Sequence, residues 1–338
     1  MTIHDAILHV AAGRDLSRVE AAGVMRTLMA GEATPVQISA LLVALHMKGE
    51  TVPEITGFAE TMRAMATPVV VARSPLVDTC GTGGDHSCTF NISTTAAFVA
   101  AGAGVAVAKH GNRSASSKCG SADVLEALGV NISCTAEQVA RCINEVGIGF
   151  LFARTLHGTM KFVAPVRTEL KMRTVFNLLG PLSNPANADG QIVGVFDAGL
   201  VQPVAEVLGE LGLRHAFVVR GTDGLDEITL GGPTDVAEVG EGRVRKYQIT
   251  PEQFGLCAAP KEALRGEDVE TNARLLRRVL EGAAGPHRDV VLLNAAAAIV
   301  AGQAAADLAE GIEKARVSID SGAAHSKLEQ LVALSHAA

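Results

Sequence analysis

The stretch DTCGTGGDHSCTFNIST, Asp78 to Thr94, holds three glycines within four positions, followed by small amide and hydroxyl side chains. The apolar run PLVD leads into it, so a strand, a sharp turn and a helix starting near Asn91 are expected. Glycines let the chain adopt positive φ and let a ligand approach the backbone. Free N–H groups and partial positive charge at a helix start favour an anion. Asn91, Ser93 and Thr94 would add side-chain hydrogen bonds. The alternative is a structural glycine turn capped by those hydroxyls. The stretch is neither G-x-x-x-x-G-K-[ST] nor G-x-G-x-x-G, so it is not a nucleoside-triphosphate P-loop or a dinucleotide fingerprint.

Two further segments carry chemistry. KHGNRSASSKCGSAD, Lys109 to Asp123, follows the next apolar run, GVAVA. Adjacent parallel strands open on one sheet edge, where ligands bind. Its two or three cations and its hydroxyls suit a multiply phosphorylated ligand; the alternative is a solvated polar loop. RGTDGLDEITL again follows a strand-like run and sets Asp226 beside Glu227. Paired hard oxygen ligands suit Mg2+, which keeps waters and bridges to substrate phosphates; the alternative is a turn with a capping acid.

These loops need a scaffold. The first 65 or so residues read as helices only, with capping boxes at Ser17/Glu20, Thr34/Gln37 and Thr51/Glu54 and stops at Gly31 and Gly49. From about Val69, short apolar runs alternate with helical patterns: GVAVAKH, ADVLEALG, IVGVF, VAEVLGEL, AFVVRG. Such alternation implies parallel strands with right-handed crossovers. The expected fold is α/β: a small all-helical domain, residues 1–68, and a large α/β domain, residues 69–338, with a mainly parallel central sheet. Part of 160–182 is expected to return to the helical unit, whose apolar faces could bury against each other or against a second subunit.

Composition narrows the function. The net charge of −7, 3% aromatics and absence of Trp argue against nucleic-acid binding and base stacking. None of the six cysteines forms a C-x-x-C pair, which argues against a zinc site. Charged residues appear too early in MTIHDAILHVAAGRD for a signal peptide, so a reduced, cytoplasmic protein is expected. The uncharged stretch Phe90–Ala108 is broken by Asn91, Ser93, Thr94 and Thr95 and reads as a buried helix and strand rather than a membrane span.

Taken together, GTGGD, TFNIST, KHGNRS, SSKCGSADVLEALG, HGTMKFVAPVR, RTVFNLLGPLSNP and GLDEI resemble, in order and spacing, the anthranilate phosphoribosyltransferases. The resemblance covers nearly the whole chain. It implies a nucleoside-phosphorylase-like fold with the active site between the two domains, and a homodimer joined through the helical domains. It implies that Gly81, Gly84, Asp85, Thr89, Asn91, Ile92, Ser93 and Thr94 hold phosphoribosyl pyrophosphate. Lys109, His110, Gly111, Asn112, Arg113, Ser114, Ala115, Ser116, Ser117 and Ser121 would complete that site. Gly81, Asn112 and Arg167 would contact anthranilate, with His110 and His157 near its access path. Ser93, Asp226 and Glu227 would bind Mg2+, two ions per active site. No single acid or base is assigned, because an aromatic amine is neutral at pH 7 and catalysis reduces to positioning and electrostatics.

Several residues depart from the family pattern: Arg154, Leu156, Gly158 and Thr159 around the His157 segment, and Cys119 in SSKCGSAD. They are expected to lie on the acceptor side, away from the phosphate motifs. The rival readings are a pyrimidine nucleoside phosphorylase, which would carry a different Lys-Ser-Gly block at KHGNRS, and a non-catalytic nucleic-acid-binding relative.

Overall fold

The computed structural model describes residues 1–85, 87–114 and 118–337. Four helices open the chain: α1 (Ile3–Ala11), α2 (Arg18–Ala30), α3 (Pro35–Lys48) and α4 (Val52–Met65). Ser17 and Thr34 cap their helices reciprocally with Glu20 and Gln37, and Thr2 does the same with Asp5. At Thr51 the peptide N–H donates to Glu54 at 2.8 Å. Gly31 ends α2 in the left-handed conformation, at φ 76°.

The remainder is built on one seven-stranded sheet. In chain order it comprises β1 (Leu76–Gly81), α5 (Ile92–Gly102), β2 (Ala106–Gly111), α6 (Ser121–Ala127), α7 (Ala136–Val146), β3 (Ile148–Phe152), α8 (Ala153–Leu156), α9 (Ala164–Leu170) and α10 (Phe176–Leu182). There follow β4 (Gly190–Gly194), α11 (Val201–Glu210), β5 (His215–Gly221), β6 (Thr234–Gly240), β7 (Arg243–Ile249), α12 (Val269–Leu280), α13 (Pro286–Ala301), α14 (Leu308–Asp320) and α15 (Ala323–Ser335). The strand order is β3-β2-β1-β4-β5-β6-β7. β1 to β5 pair in parallel, and β6 and β7 add antiparallel. The β6–β7 link is the pair Glu241–Gly242, both at positive φ, which matches the twist of a tight hairpin.

Side chains alternate between the two sheet faces with the strand period of two. Val107, Ile192, Phe217 and Val219 join a core with α5, α12, α13, α14 and α15. Their neighbours Val193, Ala216 and Val218 join a second core with α11. That second core runs on without a break into the helical unit, through Val163, Val166, Phe176 and Leu179 to Leu41, Leu45 and Phe58. The segment 158–182 is the bridge: α9 packs on α3 and α10 on α4. The Phe162 ring lies where a Cβ on Gly31 would stand.

Among the described residues no helix is long and apolar enough to cross a membrane. Phe90–Ala108 is indeed a buried helix and strand, with every residue of α5 from Thr94 to Ala101 inside the core.

The sheet reverses its winding between β1 and β4. In doubly wound sheets that point leaves a crevice beyond the carboxyl ends of the strands. Here Gly81 and Gly194 sit side by side in register at the crevice.

Candidate active site

Three loops converge on the crevice. The glycine loop after β1 leads into α5, and Gly83 and Gly84 take φ of 63° and 85°, which only glycine adopts without strain. Asn91 precedes α5 but makes no capping bond. Its amide donates to Cys119 O at 3.3 Å instead. The Ile92 N–H at the helix start turns back onto Phe90 O at 2.8 Å; the helix start has no hydroxyl cap of its own and retains its partial positive charge, which favours an anion. Ile92 and Thr94 are buried.

The loop after β5 brings the carboxylates. Asp226 Oδ2 accepts the Gly83 N–H at 2.9 Å, and Glu227 Oε1 accepts the Ser93 N–H at 3.2 Å. The approach needs two bare backbones: a Cβ on Gly81 would lie 2.6 Å from Asp226 Oδ2, and one on Gly194 would overlap the Asp226 carbonyl oxygen. Burial, reinforced by Asp85, pushes the Asp226 carboxyl up to about 8. Burial and Asp226 push Glu227 well above the ordinary carboxylate range. Crowded, desolvated carboxylates call for a cation.

Among the described residues no group of three or more His, Cys, Asp and Glu side chains is arranged to hold a metal on its own. Two carboxylates with hydroxyl and loop oxygens nearby suit Mg2+, which takes its remaining ligands from water and substrate phosphate.

The loop after β2 is held from below. Asp78 is fully buried in β1; its Oδ1 accepts the His110 N–H at 3.0 Å and its Oδ2 an amide proton of Asn184 at 2.9 Å. Burial raises Asp78 to about 6 against the pull of Lys109. Asn184 also donates to Ala108 O at 2.8 Å. Lys109 is buried, and its ammonium donates to Thr79 O at 2.6 Å, with Ser93 Oγ at 3.5 Å. Burial lowers its affinity for a proton, and the carboxylate of Asp78 opposes this.

Arg113 turns onto α6, pairing with Asp123 and Glu126 at 2.8 Å each. Lys109 and Arg113 are thus both engaged within the protein, by the strand end and by α6 respectively. Asn112 is exposed, its carbonyl accepting from Ser121 Oγ at 3.2 Å. Ser114 N–H donates to Asp123 at 3.1 Å. Gly111 ends β2, and Gly84, Asp85 and Thr89 lie along the glycine loop. Ala115, Ser116 and Ser117 lie outside the described residues.

On the helical side, His110 and His157 face each other with Nε2 atoms 3.2 Å apart, and His110 Nδ1 is 3.2 Å from Gly180 O. Placing the His110 proton on Nδ1 satisfies Gly180 and leaves Nε2 to accept from His157. Burial lowers His110 to about 3 and His157 to about 4, so both rings are neutral at pH 7. Arg167, on α9, is half-buried over the Phe176 ring at 5.4 Å. Among the described residues no carboxylate pairs with it within 4.0 Å.

Two expectations about the departures change. Leu156 is buried with Val69, Leu76 and Ala108, so it faces the core rather than an acceptor. The Cys119 thiol lies 3.4 Å from Asn91 Oδ1, so this departure does touch the phosphate motifs. Three residues went unnoticed in the sequence. Arg173 donates to Gly83 O at 3.0 Å while stacked 3.6 Å over Phe196. Asp223 accepts from the Leu225 N–H and the Thr229 hydroxyl, shaping the carboxylate loop. Asn294 grips that loop from α13. A lone Asn in the apolar run VVLLNAAAAIV was the one available signal.

Residues 4–66 match the helical bundle domain of a glycosyl transferase family, and residues 73–325 match that family's α/β domain. The chain is 58% identical to the anthranilate phosphoribosyltransferase of Symbiobacterium thermophilum over 97% of this chain and 96% of the relative. The chain belongs to the anthranilate phosphoribosyltransferase family. The Thermus thermophilus member superposes with a TM-score of 0.94 at 50% identity, over 98% of this chain and all of that one. The Saccharomyces cerevisiae member, in complex with PRPP and Mg, gives 0.91 at 27% identity over 99% and 98%.

Proposed function

We propose that this chain transfers the phosphoribosyl group of 5-phosphoribosyl 1-pyrophosphate to the amine of anthranilate, releasing pyrophosphate, in tryptophan biosynthesis. One observation carries the reading. The glycine loop and the start of α5 meet the Asp226–Glu227 pair through the Gly83 and Ser93 N–H groups. An anion cradle and a cation site that share hydrogen bonds fit a metal-complexed pyrophosphate. They do not fit a nucleic-acid surface. The family's relatives favour this activity over a nucleoside phosphorylase.

Displacement at the anomeric carbon develops positive charge on the ribose and negative charge on the departing pyrophosphate. Bound Mg2+ supplies neutralisation of the leaving group. Asp226 with Asp85, and Glu227 with Ser93, offer two adjoining sets of oxygens, which supports two ions per site. The glycine-loop N–H groups orient the diphosphate, acting where charge develops. Arg167, half-buried and without a carboxylate partner among the described residues, is suited to the anthranilate carboxylate, which its fork would hold in plane. Asn112 and Gly81 would border the amine. The neutral His110–His157 pair lines the approach without opposing charge.

Exposed Leu8, Val36 and Met47 on α1 and α3 support a homodimer through the helical unit. The six cysteines form no disulfide with one another, which fits a reducing cytoplasm. The test is the loss of anthranilate fluorescence on adding phosphoribosyl pyrophosphate and Mg2+. Asp226→Ala with Glu227→Ala should abolish it while circular dichroism stays native. Full activity of that double variant at low Mg2+ rejects the metal assignment.

A further inference from the structure

α13 passes through the middle of the α/β domain, and each of its residues from Val290 to Ala301 is buried. Asn294 is the single polar side chain in that run, and it is 1% exposed. A buried amide destabilises an apolar core unless its bonds are made, so its partners reveal its task. Asn294 Oδ1 accepts the Ile228 N–H at 3.0 Å. Its Nδ2 donates to Ile228 O at 2.9 Å and to Val290 O, one turn back, at 2.9 Å. The amide thus pairs with both backbone polar groups of one loop residue, as a neighbouring antiparallel strand would.

That residue directly follows Asp226 and Glu227. On the other side of the pair, Asp226 is seated against Gly81 and Gly194, with its carboxylate on the Gly83 N–H. Glu227 lies between these two anchors, its carboxylate on the Ser93 N–H.

We propose that Asn294 is a positioning residue of the metal–pyrophosphate site: by clamping the Ile228 peptide from the core side, it sets the spacing of the Asp226 and Glu227 carboxylates. The proposal rests on reading those two carboxylates as Mg2+ ligands. The clamp acts through the backbone, so its loss changes metal and pyrophosphate binding and leaves anthranilate recognition alone.

The test compares wild type, Asn294→Ala, Asn294→Ser and, as a control on the metal reading, Asp226→Asn. Four quantities are measured: the half-saturating Mg2+ concentration, Mn2+ retained in the presence of phosphoribosyl pyrophosphate by electron paramagnetic resonance, the anthranilate KM, and the melting temperature. Asn294→Ala should raise the Mg2+ requirement about tenfold, the loss of about 1.4 kcal/mol of binding. Mn2+ retention should weaken in parallel, with the anthranilate KM within about twofold of wild type. Ser, able to restore one bond, should fall between.

A role confined to folding would lower the melting temperature and leave both metal readouts at wild-type values, and that result overturns the proposal. Should the Ala variant not fold, Asn294→Ser and amide exchange in wild type decide. The Ile228 N–H must exchange as slowly as the α13 core, and exchange at an exposed-loop rate overturns the clamp. If Asp226→Asn leaves Mn2+ retention unchanged, the metal reading itself fails. Intact metal dependence with unresponsive Asn294 variants rejects only the clamp.

Discussion

A methyl group at position 81 would sit 2.6 Å from Asp226 Oδ2, 3.3 Å from its Cγ and 3.5 Å from its carbonyl oxygen. Ordinary contact begins at about 3.4 Å, so in Gly81→Ala the carboxylate must retreat by about 0.8 Å. Oδ2 is the atom that accepts the Gly83 N–H at 2.9 Å. That retreat carries the pair beyond hydrogen-bonding range, past about 3.5 Å. The loop cannot simply follow, because Gly83 is held at φ 63° and Arg173 lies against Gly84. A hydrogen bond to a charged group contributes about 1.5–3 kcal/mol, which is roughly tenfold to a hundredfold in binding.

Gly81 is not among the positive-φ glycines, so the backbone itself accepts alanine. The expected result is a native melting curve with phosphoribosyl pyrophosphate affinity, measured by calorimetry in Mg2+, reduced by that factor. Affinity within about twofold of wild type refutes the reasoning. Gly83 is the counterpart, since among the described residues nothing lies within 4 Å of the place a Cβ would take there, and its positive φ is what opposes substitution. Gly83→Ala should cost about 1–2 kcal/mol, and Gly83→Asn less, because Asn visits the left-handed region more readily. A steric origin would reverse that order.

Arg167→Ala should raise the anthranilate KM roughly tenfold to a hundredfold while the phosphoribosyl pyrophosphate KM stays near wild type, and Lys should recover only part. Equal, unchanged constants would exclude it from the acceptor site. Burial holds His110 and His157 at about 3 and 4, against about 6.5 in an unfolded chain. Neither ring should titrate by NMR between about pH 5.5 and 8. The folded state binds fewer protons than the unfolded one there, so their contribution to stability is fully present above about pH 6.5 and declines as pH falls toward 4. His110→Asn should therefore flatten the fall in melting temperature between pH 7 and 5, and an unchanged slope contradicts it. Val36→Lys with Met47→Lys should shift sedimentation from dimer to monomer; an unaltered dimer places the interface elsewhere.

Features set by short-range chemistry are legible in the chain. Ser17, Glu20, Thr34 and Gln37 announce their helix starts because capping spans only three residues. The strand–helix alternation fixes a parallel sheet, and that fact alone puts the Gly81–Asp85, Lys109–Ser114 and Asp226–Glu227 segments on one edge. The antiparallel β6–β7 hairpin was less legible, because its Glu-Gly turn carries an ordinary acid where Asn or Asp is the stronger signal.

The partners that the polar residues take within the protein emerge from packing. Lys109 and Arg113 look alike as cations in the chain, yet one donates to Thr79 and the other pairs with Asp123 and Glu126. Leu156 looks like an acceptor-side change and is a core residue, while Cys119 looks remote and leans on Asn91. Asn184, which binds Asp78, and Ile228, which Asn294 clamps, stand 106 and 66 residues away along the chain. Burial and hydrogen bonding across such separations are properties of the packed molecule, since a side chain's charge and donors acquire a direction only once distant elements close around it.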